Sequence, residues 1–496
     1  MRRRATTVYV MVALALLLAL LIRTLPLTYS HFWDETVFLQ NARVILDGRD
    51  NYHELNYRPP LLPLLYACGF ALWDHVYVAN LVQGIVSTLT VVFVFLLVRP
   101  LFGVAAAVFS ALLFAFTPYY VGASHQLLTD APAVTLLLAA MWLFDKHGAR
   151  YACGAGVMFA LAIQTRFTAL FLLLYFILEA VFSPRKTRQL TLLLVATVAA
   201  MTPYLIWAQL RLGSFYFPFA HARRIVTEWT AAVPAGFYWD ALLQVFPLSL
   251  WFFFAAGILL PVARWAWRAR NGERLASWRA MTTLSDAHKR CTVLLLWGAL
   301  FLLYMLSIPH KEVRYLLPLG IPVMIVAALG LSEIFHCCKR QAIALQWAGL
   351  LLGISVAAVD YAPSLQKLTQ PWLDPTRAEP WVDRSTREAV QIGHYLREIS
   401  TPADTLYAAH NFPVFAYYSQ RRTVSLLEIQ GNFDNAWRGV MNRPGFLVYY
   451  LPSGIQETHS TFPAFKPDRA FLDTTPEFRL LRVFSEALVY RYDYGH

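Results

Sequence analysis

Along the first 360 residues, apolar runs alternate with short polar segments. The runs fall at about 8–27, 75–98, 101–121, 130–145, 151–165, 167–183, 190–208, 241–262, 291–309, 314–335 and 342–360. A helix rising 1.5 Å per residue needs about 20 apolar residues to cross a bilayer, so each run predicts one transmembrane helix. The fourth and fifth runs are short, and Gln164 and Arg166 interrupt the polar end of the fifth, so the count can shift by two. Gly154 and Gly156 in that run lack phosphate-loop spacing and suit close helix packing instead. After residue 361 prolines and charges rise. STREAVQIGHYLREIS (385–400) reads as an amphipathic helix, and DTLYAAH, TVSLLEI, GFLVYYL, FRLLRVF and ALVYRYD read as strands. The pattern predicts a polytopic all-α membrane protein of about 11 transmembrane helices at 1–360, with a first external loop at 28–74, followed by an extracytoplasmic α/β domain at 361–496.

Composition agrees with that reading. The chain is 58% hydrophobic and 15% charged, with a mean hydropathy of +0.46, far more apolar than a soluble domain. The formal net charge of +12 could suggest nucleic acid as a partner, but its placement follows topology. Under the alternation that eleven spans impose, one set of short segments holds 18 Lys and Arg against five acids, whereas the opposite loops hold ten of each. The positive-inside rule then puts the N-terminus in the cytoplasm and the first loop and tail outside a plasma membrane. MRRRATT precedes an apolar run without a small-residue cleavage site and reads as an uncleaved first span. Five cysteines, Cys68, Cys153, Cys291, Cys337 and Cys338, show neither zinc nor paired-framework spacing. His394, His410 and His459 likewise lack ligand spacing.

The candidate chemistry falls on the predicted outer side. It comprises Asp34 and Glu35, Tyr57 and Arg58 before Pro59 and Pro60, His125 and Asp130, Arg166, a loop with His221, Arg223, Arg224 and Glu228, and the run His310, Lys311, Glu312, Arg314 and Tyr315. Ionisable residues at membrane boundaries are costly to desolvate and mark functional sites by default. Plainer roles stand beside these. Asp130 suits a helix cap before Pro132, Arg166 suits snorkelling, and Pro309 could open a helix whose one face carries Lys311 and Arg314 to lipid headgroups. An outer carboxylate beside several cations fits one reaction. The carboxylate takes the proton of an acceptor hydroxyl attacking an anomeric carbon, and Arg or Lys receives the charge growing on a phosphate leaving group.

At these residues the sequence resembles the GT-C superfamily of polyprenyl-phosphate-sugar glycosyltransferases, in the branch of protein O-mannosyltransferases and lipid A aminoarabinose transferases. The resemblance is carried by the Asp-Glu pair of the first loop, by YRPPLL leading into the next helix, by LLTDAPAV, and by HKEVRYLLP, which is similar to a mannosyltransferase signature. It implies Asp34 as catalytic base or metal-proximal acid, Glu35 as its neighbour and Asp130 as second acid. It also implies Arg58, Lys311, Arg314 and Arg166 at the donor phosphate, with His310, Glu312 and Tyr57 as further site candidates. Tyr57 departs from the aminoarabinose branch, which tends to carry an acid there, so a metal site at that position is in doubt. The expected activity is inverting transfer of a sugar, mannose-like or another hexose or pentose, to a glycan, lipid or protein acceptor. A divalent cation, Mg or Mn, is a cofactor such chemistry could use, with Asp34 as its candidate ligand; membrane lipids are expected partners and nucleic acid is not. A flippase or sensor of lipid-linked sugars would also need outward cations, but would call for broken repeats in two halves, which the sequence lacks. A scaffold docking a partner on the tail would leave the first-loop acids without a role.

Overall fold

The computed structural model describes residues 2–24, 31–227, 233–234, 236–270, 286–337, 343–373, 384–426, 433–451 and 469–494. Glu228, Cys338, His459, the start of the first loop and most of the basic 264–290 segment lie outside the described residues. The chain forms two compact units. One comprises Met1–Pro26, Asn80–Phe219 and Pro234–Leu373; the other comprises Leu27–Ala79, Ala220–Val233 and Asp374–His496.

The first unit is helical. Among the described residues four helices are long and apolar enough to cross a membrane, Val76–Phe116, Pro184–Leu212, Ala287–Ser307 and Val313–Ile334. Two helix pairs reach span length only together, bent by 112° between Pro118–His125 and Asp130–Phe144 and by 101° between Phe237–Val245 and Leu248–Arg264. The chain is a multi-pass membrane protein, with up to six spans on this measure among the described residues. Two features bear on how the eleven apolar runs map onto helices. Val76–Phe116 is 41 residues long, broken at Gly103 by a left-handed backbone (φ 85°) that a Cβ would oppose, and at about 60 Å it is long enough for two crossings. Ala149–Thr165 ends at Arg166, whose extended backbone (φ −152°, ψ 118°) starts a short 3-10 turn, Phe167–Phe171. That leaves pieces too short to span individually.

Close packing holds this unit together. Leu248–Arg270 and Gly320–Cys337 cross at Gly257 and Gly330, where a Cβ on Gly330 would lie 2.0 Å from the Phe253 carbonyl oxygen and 2.6 Å from the Gly257 nitrogen. Only backbone against backbone fits there, the small-residue packing that membrane helices use. Gly156 makes a similar approach to Leu193, whereas Gly154 makes ordinary contact with Leu143.

The second unit is built on a five-stranded sheet: β1 (Thr405–Ala408), β2 (Thr423–Ser425), β3 (Gly445–Tyr450), β4 (Phe478–Val483) and β5 (Ala487–Tyr492), in the order β2-β1-β3-β5-β4. β1 runs parallel to β2 and β3, with Leu406 opposite both Thr423 and Phe446; β5 is antiparallel to β3 and β4. β1 and β3 are buried along their whole length, as central strands covered on both faces must be. Helices Arg384–Ile399 and Phe412–Ser419 cover one face through Ile392, Leu396 and Phe415, while Trp437 and Leu472 cover the other. The first loop belongs to this unit. It folds into two helices, Trp33–Asp47 and Leu61–Leu72. Trp33 and Tyr52 pack edge-on against Phe412 at 4.6 and 5.1 Å between ring centroids. The Tyr418 hydroxyl accepts from the His31 N–H at 2.8 Å, and Gln40 donates to the Pro413 carbonyl at 3.0 Å.

Candidate active site

Asp34 and Glu35 lie in the first turn of Trp33–Asp47, where the free N–H groups and the helix dipole favour negative charge. They do different things. Glu35 is fully buried, and its Oε2 accepts from the Phe32 N–H at 3.1 Å, bracing the helix start, with His31 Nδ1 3.6 Å from its other oxygen. The Asp34 carboxylate instead receives Arg58 Nη2 at 2.7 Å. Arg58 closes a turn in which its own N–H donates to the Glu54 carbonyl at 2.9 Å, and its Nε donates to Glu54 Oε2 at 2.7 Å. Glu54 in turn accepts the Tyr52 hydroxyl at 2.7 Å, and its backbone N–H donates to Asn41 Oδ1 at 2.9 Å.

One guanidinium therefore sits between two carboxylates, and this cluster carries net negative charge. Burial alone would lower the affinity of Arg58 for its proton, but the charges of Asp34 and Glu54 override it and hold the group well above its ordinary value. Burial, reinforced by Glu54, pushes the hydroxyls of Tyr57 and Tyr52 up, so both stay protonated. Tyr57 lies against His221, ring centroids 4.8 Å apart, and Arg58 lies over the Tyr57 ring.

The helical unit holds a second cluster. Asp130, buried at the start of Asp130–Phe144, lies 2.8 Å from Arg166 Nη1. Arg166 also donates to Thr129 and Thr168 at 3.3 and 3.2 Å, and its guanidinium lies 4.9 Å from the Tyr315 ring centroid. The Tyr315 hydroxyl donates to Glu312 Oε1 at 3.0 Å. Glu312 also meets His310 Nε2 at 2.6 Å and Arg314, whose Nη2 and Nε lie 2.9 and 2.5 Å from its two oxygens. Burial would raise the Glu312 carboxyl, but the Arg314 charge and the His310 hydrogen bond hold it well below the carboxylate range. Asp130, Arg166, Tyr315, Glu312, Arg314 and His310 thus form one continuous network, and Lys311 lies half-buried within its loop.

These placements decide between roles left open by the sequence. Asp130 opens a helix and also binds an arginine. Arg166 is turned onto Asp130 rather than reaching for headgroups. The helix near Pro309 starts at Val313 and is of the 3-10 type, so Lys311 precedes it and shares no helical face with Arg314. Sequence reasoning assigned no role to Glu54 or Tyr52; the signal was Glu54 four residues before Arg58, the spacing of a one-turn ion pair. Among the described residues no group of three His, Cys, Asp or Glu could hold a metal ion. Arg58 occupies Asp34 and also engages Glu54, so the side chains present do not by themselves build a site for Mg or Mn.

Beside Arg166 an apolar groove of about 420 Å³ opens along Phe167, Thr168, Leu170, Phe171, Leu173, Leu174, Ile177 and Tyr304. Thr168, which Arg166 contacts, forms part of its wall.

Residues 57–207 match the dolichyl-phosphate-mannose-protein mannosyltransferase family. The fold is similar to that of ArnT from Cupriavidus metallidurans, solved bound to undecaprenyl phosphate, with a TM-score of 0.65 at 14% identity, covering 97% of each chain. It is also similar to an Archaeoglobus fulgidus oligosaccharyltransferase, with a TM-score of 0.57 at 14% identity, covering 89% of this chain and 68% of the other. The oligosaccharyltransferase AglB of Archaeoglobus fulgidus, in complex with an inhibitory peptide and a dolichol-phosphate, gives a TM-score of 0.54 at 14% identity over 90% of this chain and 70% of that one. No curated protein sequence matches the chain. The family match covers residues 57–207, and the solved structures share the fold of the chain as a whole.

Proposed function

We propose that this enzyme moves a sugar from a polyprenyl-phosphate donor to a hydroxyl acceptor, with inversion, at the outer face of a plasma membrane. The observation that carries the donor assignment is the apolar groove whose wall includes Thr168, a hydrogen-bond partner of Arg166, an arrangement that suits a prenyl chain with a phosphate near its head. The relatives solved with undecaprenyl phosphate and dolichol-phosphate support the same donor class, and the distribution of Lys and Arg supports an N-terminus inside and the tail domain outside.

In this reading Asp34 accepts the proton of the acceptor hydroxyl as its oxygen bonds to the anomeric carbon. The bond from that carbon to the donor phosphate breaks on the opposite face, and the electron pair leaves with the phosphate. Arg58, Lys311, Arg314 and Arg166 are the groups suited to that growing charge. Glu35 and Glu54 orient Asp34 and Arg58, Asp130 orients Arg166, and Glu312 with His310 orients Arg314. Tyr57, protonated and against His221, can donate to a sugar or phosphate oxygen. No step is routed through a divalent cation. The sugar is a hexose or pentose, mannose by analogy, and the acceptor a glycan, lipid or protein.

The test is sugar transfer by purified protein in nanodiscs, supplied with radiolabelled polyprenyl-phosphate sugars and a membrane extract, comparing wild type with Asp34→Asn. Transfer that collapses in a folded variant with intact donor binding supports the reading. Equal lipid binding by both proteins with no transfer across a broad donor panel would move the assignment to a flippase or sensor.

A further inference from the structure

Away from both acid clusters, the helical unit holds a four-charge knot that the proposed chemistry does not use. Asp145 caps Asp130–Phe144 at its C-terminal end. Its carboxylate pairs with Arg290, whose Nη2 lies 2.5 Å from Oδ1, and with Lys186 at 3.3 Å. Lys186 also donates to Glu179 at 2.6 Å, and Glu179 lies 3.6 Å from Arg290 Nε. All four side chains are at most 14% exposed, and the knot is neutral as a whole.

The knot joins the far ends of the helices that carry the donor-side features. Asp130 and Asp145 stand about 22 Å apart at the two ends of one helix. Glu179 belongs to Leu172–Phe182, which supplies Leu173, Leu174 and Ile177 to the groove. Arg290 belongs to Asp286–Ser307, which supplies Tyr304 and leads into the His310–Arg314 loop. The Asp286–Ser307 helix also meets the 3-10 turn that precedes Leu172–Phe182. Trp297 donates its ring N–H to the Phe171 carbonyl at 3.1 Å, and Tyr304 stacks on Phe171 at 5.3 Å between centroids. Packed helices transmit a shift at one end to the other because a close-packed interior has few voids to absorb it.

We infer that Asp145, Glu179, Lys186 and Arg290 are positioning residues for the donor: the knot sets the separation of the two groove-lining helices and the seat of Asp130 beneath Arg166. This rests on the donor reading above. Neutralising one member leaves a buried net charge and threatens folding, whereas Asp145→Asn with Arg290→Gln leaves Lys186 paired with Glu179 and the knot neutral.

The experiment measures kcat and KM of wild type and this double variant in nanodiscs, with polyprenyl-phosphate sugars of long chain and of a chain too short to fill the groove. The expected result is a KM for the long donor raised on the order of tenfold, with kcat changed much less and the short donor scarcely affected. Arg290→Lys, which keeps the charge but not the fork, should fall between. An unchanged KM in a folded double variant, or kcat and KM lowered alike for both donors, would overturn the inference. A wild type that transfers no sugar at all would overturn the donor reading instead.

Discussion

Glu312→Gln tests the donor-side network most sharply, because the charge of Glu312 is held by identifiable partners. Glutamine keeps an oxygen for His310 and Tyr315 but loses the ion pair with Arg314. A hydrogen bond to a charged group contributes about 1.5–3 kcal/mol; with both side chains partly solvated, about 1–2 kcal/mol is expected. The pH dependence has a definite sign. The folded carboxyl lies well below its ordinary value, so its contribution is complete above the unfolded value near ~4.3 and is lost as pH falls toward the folded one, at about 1.4 kcal/mol per pH unit. Thermal melts of wild type and variant in detergent should therefore differ by a constant margin from pH 8 to about pH 5 and draw together as pH falls further. A margin that stays the same from pH 7 to pH 3 would refute the argument. The variant also leaves the cluster one positive charge richer, so free polyprenyl phosphate should inhibit it roughly threefold to tenfold more strongly.

Asp34→Asn should lower sugar transfer by about 10²-fold or more while leaving donor binding intact, read by radiolabel transfer and by lipid co-purification. Glu54→Ala removes the second carboxylate from Arg58 and the acceptor of Tyr52 while Asp34 still pairs Arg58, and should destabilise the protein by about 1–3 kcal/mol in denaturant titration. Leu174→Trp in the groove should raise KM for long-chain donors several-fold with kcat little changed, in steady-state kinetics. Gly330→Ala places a methyl against the Phe253 carbonyl and should cost about 1–3 kcal/mol or prevent assembly of that helix pair, read by thermal melting and size-exclusion chromatography.

The tail domain was the most legible part of the chain. Each of the five strand-like runs contains one observed strand, and the amphipathic run at 385–400 is the helix Arg384–Ile399, because short runs rich in aromatic and β-branched residues mark strands and a helical apolar stripe marks a one-sided helix. The helical part was legible as membrane-embedded, and the run boundaries at 98/101 and 165/167 fall beside the observed breaks at Gly103 and Arg166. In the candidate site, residue types pointed to Asp34, Arg58, Asp130 and Arg166, and the i,i+4 spacing marked Glu54 beside Arg58, yet nothing local indicated that Arg58 would also reach Asp34, 24 residues away. The folding of the first loop into the tail unit was illegible for a related reason. Trp33, Tyr52 and His31 find Phe412 and Tyr418 across most of the chain, and sequence periodicity reports only on neighbours.

That long reach has a consequence for how the enzyme is made. His31 and Tyr418 are 387 residues apart, and Gln40 and Pro413 are 373 apart. At about 5–20 residues per second on the ribosome, the segment bearing Asp34 waits roughly 20–80 s for the helix that supports it. During that interval Trp33 and Tyr52 lack their aromatic partner. A chain that stops before residue 412 therefore cannot complete the support of its own acid cluster, and interrupted synthesis leaves the Asp34 segment without the helix it packs against.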